Sequence, residues 1–306
     1  IKENLTNWHI TETTHHVDGM VLTNLFATWN HGMGSEVILA AHYDTRDRAE
    51  RDHNESMRDK PIDGANDGAS GVAVLMELAR IIPSMNLSYE VTLFFTDGED
   101  QGVTPSFLGA RAWSENITDQ EADNIESFIL VDMVGDSDLT ISKSLPGNET
   151  LWLRTEQVIY HLDDICDNFS SEFYDNSTIH LVGDDHIYAL EKGIPAIDII
   201  DIQYGENASA FGGHWHTHND TADKVSSESL ETIGMIVEYG LLNGTWQNVR
   251  NIVENDTGID SVQEPEESTS ASIDENTSIG LIFIMIIVII WANLFYILIA
   301  DNQGEG

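Results

Sequence analysis

The stretch Phe94-Phe95-Thr96-Asp97-Gly98-Glu99-Asp100 decides how this chain folds, because an apolar run ends there abruptly in three carboxylates around one glycine. An apolar run without polar alternation, here Val91 to Phe95, is typical of a strand buried on both faces. In open α/β sheets, ligands bind beyond the carboxyl ends of such strands. We therefore expect chemistry at the end of this strand, with Asp97 capping the turn through its own backbone.

Three further runs share this apolar character: Val37–Ala41, Phe128–Val131 and Ile194–Ile200. Helical segments are predicted near Val72–Ala79, Ser106–Ser114, Leu151–Leu162, Asp185–Lys192 and Leu230–Leu241. The first 30 residues are interpreted as an edge segment. Strands that alternate with helices predict an α/β fold, with three α/β/α layers around a mixed, mainly parallel central sheet.

Composition excludes several classes of protein. The chain has 53 acidic and 13 basic residues and a formal net charge of -40, which argues against a nucleic-acid-binding surface. The only cysteine is Cys166, so neither an intrachain disulfide nor a thiolate cluster can form. A metal site in this chain would have to use histidines and carboxylates.

The predicted strand ends and the loops beside them supply one set of chemically capable side chains: His42, Asp67, Glu99, Asp100, Asp132 and His216. Zinc binds imidazole nitrogen and carboxylate oxygen, and catalytic zinc keeps one position open. At a turn, one of the neighbours Glu99 and Asp100 can bind a metal while the other moves a proton. Any one of these residues alone would be assigned a structural role, and it is the ordered set that predicts a metal site.

These residues also resemble the motifs of a known family. In order, the motifs are His42-Tyr43-Asp44, Asp67 in a Gly-Ala-Asn-Asp-Gly loop, Glu99-Asp100, Val131-Asp132-Met133 and Trp215-His216-Thr217. Together they resemble the motif set of the family 28 zinc metallopeptidases, which includes aminopeptidases and glutaminyl cyclases. The resemblance spans roughly residues 35 to 245 and implies the fold of zinc-dependent exopeptidases.

The resemblance implies a role for each matching residue. One zinc would be held by His42, Asp67 and Asp132, and the other by Asp67, Asp100 and His216. Glu99 would be the general base, and Asp44 would orient His42. Most aminopeptidases of the family have Glu where this chain has Asp100, which is one methylene shorter.

Two reactions on peptide N-termini remain open. An aminopeptidase would use two zinc ions and a water deprotonated by Glu99, whereas a glutaminyl cyclase would use one zinc and the substrate amine as nucleophile. The segment Asp184-Asp185-His186-Ile187 resembles the cyclase segment that supplies a catalytic Asp, here Asp184, and Trp215 is a cyclase-like substrate-binding residue. In contrast, Asp198 stands where animal cyclases have a His. Hydrolysis is slightly favoured.

Two other classes are weighed against these enzymes. A binding ectodomain that has lost turnover is disfavoured, because every predicted ligand and the base are present. Without the resemblance, the residues would also fit a phosphate- or carboxylate-handling α/β metalloenzyme, of which phosphate substrates are disfavoured by the lack of Arg near the motifs.

The composition changes beyond residue 253. We divide the chain into an N-terminal segment (1–34), the zinc-dependent catalytic domain (35–253), an acidic flexible stalk (254–278), a transmembrane helix (279–300) and a short tail (301–306). The bilayer is thus a predicted partner, through a single C-terminal anchor, and the catalytic domain is expected outside the cell. That location is favoured by Asn-x-Ser/Thr triplets at Asn4, Asn54, Asn86, Asn116, Asn148, Asn168, Asn176, Asn207, Asn219, Asn243, Asn255 and Asn276.

Overall fold

A computed structural model describes residues 1–17, 19–101 and 107–250. In these ranges the strands are β1 His9–Val17, β2 Met20–Trp29, β3 Glu36–His42, β4 Glu90–Thr96, β5 Ile125–Asp132, β6 Ile141–Leu145, β7 Tyr174–Leu181 and β8 Ala196–Ile200. The α-helices are α1 Ala69–Ile81, α2 Leu108–Asn116, α3 Asp119–Asn124, α4 Glu149–Ile165, α5 His186–Glu191 and α6 Ser227–Leu242.

The main sheet has the strand order β1-β2-β4-β3-β5-β8. Strands β4, β3, β5 and β8 run parallel, whereas β1 and β2 are antiparallel to their neighbours. The predicted mixed, mainly parallel α/β sheet is confirmed.

Helices cover both faces of this sheet, because the central strands alternate between two cores. Leu39 of β3 faces a core shared with α1, α4 and α6, while Ile38 and Ala40 face a second core that contains Phe94 and Trp113. A strand buried on both faces carries apolar residues at most positions, which is why β3 and β4 are nearly continuous apolar runs.

The parallel strands end at one edge of the sheet. His42, the last residue of β3, lies in register with Thr96, the last residue of β4. Ala40 lies in register with Leu130, so Asp132 at the end of β5 is level with His42. The residues that follow these strands therefore meet at this edge.

The N-terminal segment lies at the edge of the main sheet, as predicted, and supplies two strands to it. Strands β1 and β2 form a long antiparallel hairpin, and β2 pairs with β4. In β1 no side chain is fully buried, so its sequence lacks the apolar alternation from which a strand is predicted. The separate two-stranded sheet of β6 and β7 was not predicted either.

The hairpin also corrects the role of Asp97. Its Oδ2 accepts a hydrogen bond at 2.7 Å from the backbone N–H of Thr23 in β2. Asp97 thus ties the β4 turn to the neighbouring strand as well as shaping its own turn.

No helix within the described residues is long and apolar enough to cross a membrane. The predicted stalk at 254–278, the predicted span at 279–300 and the tail lie outside the described residues.

Candidate metal centre

Two groups of potential ligands meet at the carboxyl edge of the sheet and share Asp67. In the first, His42 Nε2 lies 3.2 Å from Asp67 Oδ1 and 3.1 Å from Asp132 Oδ1. In the second, His216 Nε2 lies 3.4 Å from Asp67 Oδ2 and 3.1 Å from Asp100 Oδ1. Asp67 therefore presents one oxygen to each group, as a bridging ligand between two cations would.

The backbone before α1 brings Asp67 to the strand ends. Gly68 follows it, and a Cβ atom at this position would lie 2.5 Å from His42 Nε2. Only glycine permits such a close approach of backbone to imidazole. The glycine of the Asp-Gly pair is thus a requirement of the site.

The turn after β4 is fixed by Asp44. Gly98 has a φ of +79°, a left-handed conformation that favours glycine. The next two backbone N–H groups, of Glu99 and Asp100, donate to the two carboxylate oxygens of Asp44 at 3.0 and 3.2 Å. Asp44 Oδ1 also lies 3.7 Å from His42 Nδ1, so one carboxylate fixes the turn and faces the imidazole.

Glu50 is a contact of the site that sequence reasoning missed. Its Oε1 lies 2.9 Å from His216 Nδ1, on the far side of the ring from Asp67 and Asp100. Arg46 donates to the same oxygen at 3.0 Å through Nε, and through Nη1 to the backbone carbonyl of Asp100. Both residues belong to the charged run Arg46–Lys60, whose sequence is typical of a solvated loop, so no motif singles them out.

The position of Arg46 corrects the expectation that no arginine adjoins the motifs. Its guanidinium is already engaged by Glu50 and by the Asp100 carbonyl. Arg46 therefore braces the site and is not a free partner for a phosphate.

Asp220 is a second missed residue. Its carboxylate accepts hydrogen bonds from the backbone N–H groups of Asn66 and Asp67, at 2.8 and 3.2 Å, and from the hydroxyl of Tyr204 at 2.9 Å. It is fully buried. No spacing in the sequence connects it with a loop more than 150 residues earlier.

The ionisable groups of the site lie close enough to shift each other's pKa. Burial opposes protonation of His216, but the neighbouring carboxylates of Asp100, Asp67 and Glu50 outweigh this effect and raise its pKa to about 11. Burial and the charge of Asp67 raise the pKa of Asp100 to about 7. Burial is also the main cause that raises the pKa of Glu99 well above its usual range, against the opposing effect of His42. Without a cation, bound protons offset the repulsion between these buried carboxylates.

The residues fit a zinc ion. All the donors are imidazole nitrogens or carboxylate oxygens, which zinc accepts, and within each group they lie within 4.8 Å of one another. Asp67 Oδ2 and Asp100 Oδ2 are buried and accept no hydrogen bond from the described residues. A buried carboxylate oxygen without a partner is costly, and a cation would satisfy it.

A cavity of about 340 Å³ opens over these ligands. Its polar side is formed by the ligand carboxylates together with Glu99 and Asp184, and its apolar side by Phe107, Met133, Val182, Ile200, Phe211 and Trp215. The ring of Trp215 stacks on that of His216 with centroids 3.7 Å apart. The structure thus brings every predicted ligand, Glu99, Asp184 and Trp215 into one site, with Asp44 behind it.

Asp184 belongs to a cluster of buried acids. Burial, followed by the charges of Asp198 and Asp132, raises the pKa of Asp184 well above its usual range. Asp198 is fully buried, and neither of its oxygens accepts a hydrogen bond from a described residue. Asp185 is held by the hydroxyl of Thr96. Burial thus shifts the carboxyl groups of Asp184 and Asp198 toward their protonated, neutral form.

Comparison with known proteins relates this chain to a group of enzymes. The sequence profile described as "Peptidase family M28" matches residues 24–240. The glutaminyl-peptide cyclotransferase of Bothrops jararaca is 25% identical over 252 residues, and the match covers 72% of this chain and 65% of that protein. The chain thus spans just under two thirds of the length of that relative.

Solved structures give the same grouping. The glutaminyl cyclase of Porphyromonas gingivalis superposes with a TM-score of 0.67 at 27% identity, over 82% of this chain and 86% of that one. A zinc-dependent exopeptidase of Parabacteroides distasonis superposes with a TM-score of 0.68 at 26% identity, over 80% and 86% of the two chains. The same fold therefore carries two named activities.

Proposed function

This chain belongs to peptidase family M28, and we propose that it is a zinc-dependent glutaminyl cyclase, which closes N-terminal glutamine into pyroglutamate and releases ammonia. The family is one of enzymes, and its similar members include both cyclases and exopeptidases. Both activities act on the N-terminus of a peptide, and they differ in the nucleophile.

The observation that carries the proposal is Asp184. Hydrolysis needs metal ligands and one general base, and Glu99 already provides the base. Asp184 is an additional buried acid in the same cavity, and burial favours its neutral form. A neutral carboxylic acid can donate a hydrogen bond to the leaving amide nitrogen and accept one from the α-amine, and would so hold the two reacting groups of an N-terminal glutamine together for cyclisation.

The reaction can be written with the chain's own residues. The α-amine nitrogen attacks the side-chain amide carbon, so one N–C bond forms as the bond from that carbon to the amide nitrogen breaks. Glu99 takes a proton from the amine and returns it to the departing nitrogen, which leaves as ammonia. Trp215 and Phe211 cover the glutamine side chain and exclude water from the site.

Zinc would be held by Asp67, Asp100 and His216. It would supply Lewis acidity at the substrate carbonyl. In this assignment His42 and Asp132 remain paired with each other beside Asp67, and Asp44 and Glu50 fix the orientation of the two imidazoles.

An aminopeptidase is the second candidate, and a specific observation favours it. All five ligand positions are filled, and Asp67 faces both histidines in the manner of a bridge between two metal ions. In this case Glu99 would deprotonate water, and the N-terminal residue would be released.

Mass spectrometry of the products separates the two reactions. The full chain is incubated with zinc and two peptides that differ only in an N-terminal Gln or Leu. A cyclase converts only the Gln peptide, with a mass loss equal to ammonia. An aminopeptidase shortens the Leu peptide by one residue, and that result without ammonia loss would overturn the cyclase proposal.

Asp184→Ala tests the residue on which the proposal rests. It removes both the hydrogen-bond donor and the acceptor that cyclisation would use. Loss of cyclisation with unchanged zinc content supports the assignment, whereas full activity would remove its main support. Glu191→Ala, on the exposed side of α5, is the matched control.

A further inference from the structure

We propose that this protein is glycosylated on asparagine, at Asn-x-Ser/Thr triplets spread over the surface of its catalytic domain. The chain has 21 Asn residues, and 12 of them are followed at the second position by Ser or Thr. Ser and Thr together make up 45 of the 306 residues, so roughly three such triplets would arise from composition alone. The excess is about fourfold.

The excess of Ser and Thr near Asn is confined to one spacing, so it does not reflect a general abundance of polar residues in loops. Ser or Thr follows Asn directly in 2 of 21 cases and at the third position in 2 of 21. In the reverse direction, two positions before Asn, it occurs in 4 of 21. Local clustering of polar residues would raise all these frequencies together. Only the arrangement that glycosyl transfer recognises is enriched.

The folded chain presents these triplets to solvent. Ten lie within the described residues, and nine of these asparagines are exposed, while Asn148 is half-buried. The two fully buried asparagines, Asn24 and Asn66, are not part of a triplet. The triplets thus occur where a bulky sugar can be accommodated.

Local structure does not explain the spacing. An asparagine can form a side-chain turn with the residue two positions later, which would favour the same pattern for structural reasons. Among the described triplets, only the Asn54 side chain bonds its own Ser, accepting from the N–H and the hydroxyl of Ser56. Asn148 instead caps α4 by accepting from Leu151 N–H. In the other eight described triplets, no hydrogen bond joins the Asn side chain to the Ser or Thr of its own triplet.

The modification is a group transfer from a lipid-phosphate-linked sugar. The Nδ2 atom of Asn attacks C1 of the sugar and loses a proton, an N–C bond forms, and the C1–O bond breaks as the lipid phosphate leaves with the electron pair. The linked nitrogen keeps one hydrogen. The hydrogen bonds that Nδ2 of Asn176 and Asn243 donate at 2.7 and 3.0 Å are therefore compatible with the modification.

Peptide mass spectrometry on the full chain purified from its own organism tests the proposal. We expect sugar masses on several peptides that contain exposed triplets, and none on Asn7, Asn124 and Asn248, which are exposed but lie outside a triplet. The same chain made in a bacterial cytoplasm without glycosyl transfer should have the unmodified mass. Unmodified asparagine at every triplet in the native protein would overturn the proposal, as would sugars found only on Ser or Thr.

Substitutions in one exposed triplet test whether its Ser is required for modification of its Asn. Asn86 and Ser88 are both exposed, in the loop before β4, so substitution there leaves the core intact. Ser88→Ala keeps the acceptor but should abolish its modification, and Ser88→Thr should retain it. Equal occupancy in the Ala variant would contradict recognition of the triplet. Because neither residue is near the metal centre, this outcome is independent of the enzyme activity.

Discussion

Glu50 Oε1 lies 2.9 Å from Nδ1 of His216, and the opposite nitrogen of the same ring faces Asp67 and Asp100. A carboxylate in this position fixes the orientation and tautomer of a metal-binding imidazole. Arg46 holds Glu50 in place and also contacts the backbone of Asp100. One loop thus steadies two ligands of the same group.

We therefore expect Glu50→Ala to weaken zinc binding by about 10- to 100-fold. The measurement is competition for zinc with a chromogenic chelator. Glu55→Ala, in the same loop but exposed, should bind zinc like the parent. Equal affinities of the parent and Glu50→Ala would show that Glu50 does not position His216.

Glu99→Gln should reduce turnover by about 10²- to 10⁴-fold, because Gln cannot accept the proton that the reaction must move. Zinc content should stay the same, since Glu99 is assigned to proton transfer and not to metal binding. Initial rates and metal analysis on the same sample test both statements. A fully active variant would assign proton transfer to another group, and Glu115→Gln, at the exposed end of α2, is the control.

Zinc binding should release protons at pH 7. Interactions with Asp100, Asp67 and Glu50 outweigh the effect of burial and raise the pKa of His216 to about 11, so without metal the ring is charged, whereas a ligand must be neutral. Affinity should therefore rise with pH, by about tenfold per unit for each proton released. Calorimetry in buffers of different ionisation enthalpy counts these protons. A binding enthalpy that is independent of the buffer would contradict the prediction.

Asp220→Ala should destabilise the fold by about 2–4 kcal/mol, because the buried N–H groups of Asn66 and Asp67 and the Tyr204 hydroxyl lose their acceptor. Urea unfolding of the metal-free chain measures the loss separately from zinc binding. The nearby Asp223→Ala removes a solvent-exposed carboxylate and should unfold at the same urea concentration as the parent. An unchanged midpoint for Asp220→Ala would mean that water replaces the carboxylate.

The sequence predicts the parts of the fold that are governed by burial. Strand β4 covers the apolar run at Val91–Phe95, and α4 extends the helix expected at Leu151–Leu162 by two residues at its start and three at its end. The bounds of strand β1 could not be predicted from the sequence, because its Thr and His side chains are mostly exposed and show no apolar alternation. What it contributes is backbone pairing, which any polar sequence can provide.

The candidate site also contains residues that the sequence predicts and residues that it does not. Its ligands were predictable because they follow strand ends in a known order. Glu50 and Asp220 were not, because they act across 166 and 154 residues of sequence on groups whose positions only the fold defines. Asp136, which reads as a solvated loop residue, is buried and accepts from Gly205 N–H at 2.6 Å.

The candidate ligands of the metal centre come from widely separated parts of the chain, and this affects how the chain matures. The ligands are spread from His42 to His216, so most of the domain must be synthesised before the last imidazole exists. Contacts between such distant segments form late in folding, since closing long loops is entropically slow. Capture of zinc would then mark completed assembly. A nascent or truncated chain that ends before residue 216 should remain without a complete site and without activity.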